Sequence, residues 1–215
     1  MESRFEFLSL ALVLALSLAV PVHATVLTFQ PATNFGPIDQ AYGDHVSATS
    51  QNGFLYEPDG GFTPNLTVDY GPLPQAAPTL YGTGFGNLLN VLYEDADGFG
   101  ILEITIEGDD EWLVKLAGFD LGSYGVSNTI RRVSVHDNYG NVLFSQYDVE
   151  VEAAAHTSFD FDPPLAGDQL VIRIDTSNLG YSSDNVAIDN VQFSQAPKTT
   201  PVDADTWASL KAQFR

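Results

Sequence analysis

Residues Gly100–Glu107 read GILEITIE, and this stretch decides the fold. Leu102, Ile104 and Ile106 alternate with Glu103, Thr105 and Glu107. A period of two puts the aliphatic side chains on one face of a strand and the polar ones on the other, as in an antiparallel strand with one wet face. Upstream, Leu88–Glu94 reads LLNVLYE and is separated from it by Asp95-Ala96-Asp97-Gly98, a turn composition that predicts a hairpin. Downstream, the acidic turn Gly108-Asp109-Asp110-Glu111 leads into Trp112–Leu121, WLVKLAGFDL.

Working outward, similar short runs recur at Val26–Phe29, Phe54–Glu57, Leu66–Tyr70, Thr129–His136, Asn141–Gln146, His156–Phe161, Asp168–Asp175 and Asn185–Ser194. About ten short strands with turns between them and no helical periodicity predict an all-β domain, an antiparallel β-sandwich of the jelly-roll kind. Residues 31–86 carry Pro31, Pro37, Pro58, Pro64, Pro72, Pro74 and Pro78. A buried ladder does not hold that many prolines, so this part is expected as loops and edge strands.

The two ends differ in composition. Phe7–Val20 is an uncharged apolar run, followed by Pro21 and by Val22-His23-Ala24. That is the pattern of a secretory signal cleaved after Ala24, with an apolar region shorter than the ~18–20 residues of a membrane span. Residues 25–195 are expected as the sandwich domain, and 196–215 as a linker with a short amphipathic tail. In that tail Asp203 or Asp205 caps a helix that carries Trp207, Leu210 and Phe214 on one face.

Composition narrows the function. Lys and Arg number 8 against 28 Asp and Glu, for a net charge of -20, so the chain cannot build a phosphate-binding face for nucleic acid. There is no cysteine, which removes disulfides, thiolate catalysis and Cys-based zinc sites. No G-x-S-x-G or H-E-x-x-H occurs, and His45, His136 and His156 are far apart in sequence. The glycine run Gly82-Thr83-Gly84-Phe85-Gly86-Asn87 has Asn where a dinucleotide loop needs its third glycine, and no helix follows it. It reads as a flexible connection. Nothing in the sequence selects a carboxylate pair for glycosidic cleavage, because separation in space is what matters there.

Two groups of residues stand out. The many carboxylates suit calcium, which takes six to eight oxygen ligands. Tyr93–Ile104 fails the EF-hand pattern at its first and last positions, so Asp44 and Asp189 are the expected metal ligands. Asp189 sits inside the apolar strand IDNVQF, where its charge needs an ion if it is buried; otherwise it faces solvent or caps a bulge through its side chain. The second group is aromatic: Tyr42, Tyr124, Tyr139 and Tyr181 lie in Gly-, Ser- and Asn-rich turns. A flat ring beside hydroxyl acceptors is what sugar binding uses. Tyr181 directly precedes Ser182-Ser183-Asp184-Asn185, so Tyr124, Tyr181, Asp184 and Asn185 are the expected ligand-binding residues.

The succession LTFQ, YGDHV, TPNLTVDYG, GNLLNVLYE, HDNYGNVLFS and SSDNVAIDNVQFS resembles the secreted β-sandwich domains of bacterial surface proteins, many of which carry an exosortase-sorting (PEP-CTERM) tail. The closing Ile-Asp-Asn-Val strand is also similar to that of calcium-stabilised, galactose-binding-like carbohydrate-binding jelly rolls. The resemblance spans Val26–Ser194. It departs at Gln30, where such domains often place an acid, and at the C-terminus, which has no Pro-Glu-Pro box. It implies an extracellular or cell-surface module, binding a glycan or cell-surface polymer with structural calcium. A surface-layer or matrix component and a polysaccharide lyase or hydrolase are the competing readings.

Overall fold

The alternation in the sequence becomes antiparallel pairing. In the computed structural model the described residues are 24–30, 36–56, 62–72, 78–95 and 99–198. The expected signal segment up to residue 23 and the expected helix after Asp203 lie outside them. In chain order the strands are β1 (Thr25–Gln30), β2 (Gly36–Pro37), β3 (Ser50–Gln51), β4 (Phe54–Tyr56), β5 (Leu66–Gly71), β6 (Thr79–Thr83) and β7 (Leu89–Tyr93). They continue as β8 (Ile101–Gly108), β9 (Trp112–Ser123), β10 (Asn128–Asp137), β11 (Val142–Val151), β12 (Thr157–Gly167), β13 (Gln169–Asp175) and β14 (Val186–Pro197). A 3-10 segment, Ser177–Asn185, which the sequence reading missed, joins the last two. Among the described residues no helix is long and apolar enough to cross a membrane.

One sheet of nine strands runs β2-β6-β7-β14-β1-β4-β3, with β9 on β14 and β12 on β9. The other runs β11-β10-β13-β8-β5. The core lies between them. Leu102, Ile104 and Ile106 of β8 pack in one cluster with Leu116 and Leu121 of β9 and Ile188, Val191 and Phe193 of β14. Each such side chain, fully buried, stabilises the fold by about 1.5–3 kcal/mol. The fold is the all-β sandwich expected.

The hairpin expected across Asp95–Gly98 is not one. β7 belongs to the nine-stranded sheet and β8 to the five-stranded sheet, so the connection crosses the sandwich. LLNVLYE lacks alternation because β7 is covered on both faces. Leu92 enters the main core, while its neighbour Val91 enters a smaller cluster with Phe85, Leu88, Tyr93 and Ala187.

β14 organises the large sheet. It pairs β9 along one side, and on the other side β7 through Ala187 and Ile188, then β1 through Val191 to Phe193. The inward phase slips by one between these neighbours, at Asp189–Asn190, where Asn190 has φ 53. This is a β-bulge, one extra residue that bends the strand. β9 slips in step: Val114 and Leu116 are buried, then Phe119 and Leu121 beyond Gly118. A Cβ on Gly118 would stand 2.5 Å from the Phe159 carbonyl oxygen, so only glycine fits that crossing.

β1 bulges as well, at Phe29 with φ 53, and Tyr42 makes that possible. Tyr42 was expected as a loop ring for a ligand. Instead it is buried, and its hydroxyl accepts the Thr28 and Phe29 amides at 3.1 and 2.8 Å. Its ring stacks on Tyr56 with centroids 5.2 Å apart. A local Gly-rich composition signals a loop, but amides that leave a ladder need an acceptor, and that need draws Tyr42 inward.

Candidate functional site

At the end of the sandwich where β9 finishes and β14 begins, four aromatic rings meet. Tyr81 of β6 lies 5.7 Å from Phe85, 6.1 Å from Tyr93 of β7 and 6.0 Å from Tyr124, centroid to centroid. Phe85 closes the group at 5.4 Å from Tyr124 and 5.9 Å from Tyr93. Phe85 and Tyr93 are buried, Tyr81 is half-buried, and Tyr124 is 45% exposed. The patch therefore shows one ring broadly to solvent and holds it with two others, Tyr81 and Phe85, which pack in turn on Tyr93.

The local sequence explains how Tyr124 is held. Phe85 and Tyr124 form an isolated antiparallel bridge, and the Gly86 amide donates to the Ser123 carbonyl at 3.0 Å. Gly84 has φ +107, and a Cβ there would lie 2.6 Å from Tyr124 Cε2, so the ring rests directly on glycine backbone. The glycine run expected as a flexible connection is thus a packed seat for a ring.

Hydroxyls and charges complete the surface. A side-chain hydrogen bond joins Tyr81 to Tyr124, and it raises the Tyr81 pKa above its ordinary value. Burial pushes the Tyr93 phenol up, and the charge of Asp95, a hydrogen bond to Asp95 and the charge of Asp184 add to this. The phenols of Tyr81 and Tyr93 stay neutral at ordinary pH. The patch offers stacking faces, phenolic hydroxyls and two carboxylates on its rim.

The structure unites some of the expected ligand residues and separates others. Asn185 is joined to Tyr124 through its main chain: its carbonyl accepts the Tyr124 amide at 2.9 Å and the Ser123 hydroxyl at 3.2 Å. Asp184 reaches the patch electrostatically through Tyr93. Tyr181 lies in the same 3-10 segment but is 86% exposed, with no aromatic neighbour among the described residues.

Asp44 and Asp189 have protein partners. Asp44 Oδ1 accepts the Val68 amide at 2.7 Å. Asp189, 4% exposed, accepts the Asn190 amide at 2.7 Å, which is the bulge-capping role. Among the described residues no three His, Asp or Glu side chains gather as a group that could hold a metal.

Sequence reading missed Tyr81, Phe85, Tyr93 and Asp95. A signal was present in TLYGTGFGN, residues 79–87, where rings and glycines interleave. Glycines let backbone approach closely, and the rings between them then pack as a group. A larger concavity, about 610 Å³, lies at the opposite end of β9 and is lined by Glu107, Asp109, Asp110, Glu111 and Trp112. It gathers four carboxylates around a single ring.

No family model and no curated protein matches this chain. Among solved structures it is similar to the enzymatically active domain of tailspike protein 4 of bacteriophage CBA120, at 15% identity and TM-score 0.35. That likeness covers 61% of this chain and 19% of the tailspike chain, so this chain spans about a fifth of its length. It is also similar to the family 32 carbohydrate-binding module from C. perfringens NanJ in complex with galactose. There the identity is 12% and the TM-score 0.29, over 80% of this chain and 99% of that one. The assignment of the fold rests on the strand pairing described above.

Proposed function

We propose that this chain is a secreted, non-catalytic carbohydrate-binding module that lays the face of a sugar on Tyr124. The observation that carries the reading is a ring 45% exposed yet fixed by Tyr81, Phe85 and Gly84. A pre-positioned ring loses little conformational entropy on binding. Its face suits pyranose C–H groups, and the hydroxyl of Tyr81 and the carboxylates of Asp95 and Asp184 suit sugar hydroxyls. One stacking face with a few hydrogen bonds gives weak affinity, on the order of mM to tens of μM, or −4 to −7 kcal/mol. The resemblance to exported bacterial surface proteins and the apolar run before Ala24 support an extracellular setting and belong to the same proposal.

Structural calcium is a separate proposal. It needs ligands beyond the side-chain group at Asp44 and Asp189. A glycan array probed in calcium and again in chelator, at equal ionic strength, tests both. Retention of neutral glycans under either condition is the result expected for the module. Binding lost only in chelator adds the ion. No retention on any glycan removes the module reading and leaves the matrix-component reading in front.

A further inference from the structure

Beside the aromatic patch, the split in the large sheet opens a second cavity, of about 260 Å³. Thr28 and Gln30 of β1, Asn87 before β7, His156 before β12, and Asp189 and Asn190 of β14 line it, with Leu88 and Leu89. Its origin is the bulge pair. β7 leaves β14 at Ile188 and β1 joins at Val191, so Asp189 and Asn190 face a gap between the two strands. Phe29 and Asn190 both have φ 53, so each strand is irregular where it borders the gap.

The polar groups around this gap are held in place. Asn190 Nδ2 donates to Asp120 Oδ2 at 2.8 Å, and the Ser158 hydroxyl donates to Asp120 Oδ1 at 2.7 Å. His156 Nδ1 lies 2.9 Å from Asn87 Oδ1, and its Nε2 lies 3.9 Å from Asp120 Oδ1. Asp189 is almost wholly buried. Bulges of this kind re-aim side chains next to functional sites, and here three amide side chains, an imidazole and a carboxylate surround one space.

We propose that this cavity is a subsite for the terminal ring of a neutral hexopyranose chain, which continues onto Tyr124. The inference rests on the carbohydrate-binding reading and deepens it. The volume is below the ~300–1,000 Å³ of drug-sized pockets, which limits the occupant to a single small ring. Amides and imidazole both donate and accept, as hydroxyls require, and the leucines offer an apolar wall. A carboxylate in the lining, Asp189, disfavours an acidic sugar, so the ligand is neutral. Continuity comes from the chain itself. Gly84 supports Tyr124, and Asn87 is three residues on, within about 11 Å by the reach of an extended chain. Leu88 lines the cavity and also packs in the cluster of Phe85 and Tyr93.

The test uses the full domain, ligand-observed NMR and three probes: a panel of methyl hexopyranosides, methyl glucuronide, and trisaccharides of the neutral sugars. Asn87 and His156 are exposed, so the double variant Asn87→Ala/His156→Ala keeps its melting temperature. A methyl hexopyranoside should bind the wild type and methyl glucuronide should not. The double variant should weaken monosaccharide binding about tenfold, from two hydrogen bonds at roughly 0.5–1.5 kcal/mol each. Tyr124→Ala should weaken the trisaccharide by about tenfold, and by more than it weakens the monosaccharide. Trisaccharide binding that depends on Tyr124 but is indifferent to Asn87 and His156 overturns the subsite and leaves the module standing. Failure of every neutral sugar to bind overturns both.

Discussion

Replacing Tyr42 by Phe removes one oxygen and leaves the ring in place, stacked on Tyr56 and 4.8 Å from Phe54. That oxygen accepts the Thr28 amide at 3.1 Å and the Phe29 amide at 2.8 Å, and it reaches the Leu55 carbonyl at 3.5 Å. Phe29 sits at φ 53, where the ladder between β1 and β4 shifts register. A buried donor left unpaired costs about 1–3 kcal/mol. Two such donors give a loss of about 2–5 kcal/mol, a large part of a total stability of 5–15 kcal/mol. At about 2–4 °C per kcal/mol for a chain of this size, the melting temperature falls by roughly 4–20 °C. Tyr70→Phe is the internal control. Tyr70 donates to the Tyr42 carbonyl at 2.7 Å, and a carbonyl tolerates under-satisfaction better than an amide, so the loss is about 1 kcal/mol. Calorimetry, with hydrogen exchange at the two amides, is the assay. A Tyr42→Phe shift no larger than that of Tyr70→Phe, with exchange at Phe29 unchanged, would refute the claim that the hydroxyl holds the bulge.

Two further outcomes follow from the same geometry. Gly84→Ala places a side chain at φ +107, 2.6 Å from Tyr124 Cε2. It should lower stability by about 1–3 kcal/mol and weaken glycan binding along with it, whereas unchanged binding would detach the patch from the ligand. Burial raises the phenols of Tyr42, Tyr70 and Tyr93 above the ordinary 10.0 in the folded state only. Their contribution is complete below pH 10 and is lost as pH climbs through the raised folded values. Melting temperature should stay level to about pH 10 and fall beyond it, with part of the phenolate absorbance appearing only on unfolding. Smooth ionisation of all nine tyrosines near pH 10 in the folded protein would contradict the burial.

The strands were legible wherever one face is wet. GILEITIE gave Ile101–Gly108 with Leu102, Ile104 and Ile106 inside, because alternation is a local property. Sheet membership was not legible. Asp95–Gly98 has hairpin chemistry, but which sheet β7 joins is set by its pairing with β14, almost a hundred residues away. The bulges at Phe29 and Asn190 left no mark in composition, although Asp189 in an apolar strand pointed to one of them. Turn composition singles out Tyr124 and Asn185, which the structure places side by side. Tyr81, Phe85 and Tyr93 were passed over because aromatic residues in or beside strands read as core. Tyr42 failed in the opposite direction, since long-range amides rather than its neighbours determine its burial.

The central claim is that Tyr124 is a binding ring and not a packing ring. It is tested most directly by titrating an array-positive neutral trisaccharide into wild type and Tyr124→Ala by calorimetry, with melting temperatures measured on the same samples. A half-exposed ring that contacts Tyr81 and Phe85 contributes on the order of 1 kcal/mol to stability, or about 2–4 °C. The account predicts that small shift together with a loss of affinity of about tenfold or more, since a stacking anchor is worth at least about 1.4 kcal/mol. Unchanged affinity in a variant whose melting temperature falls well beyond that range would contradict it.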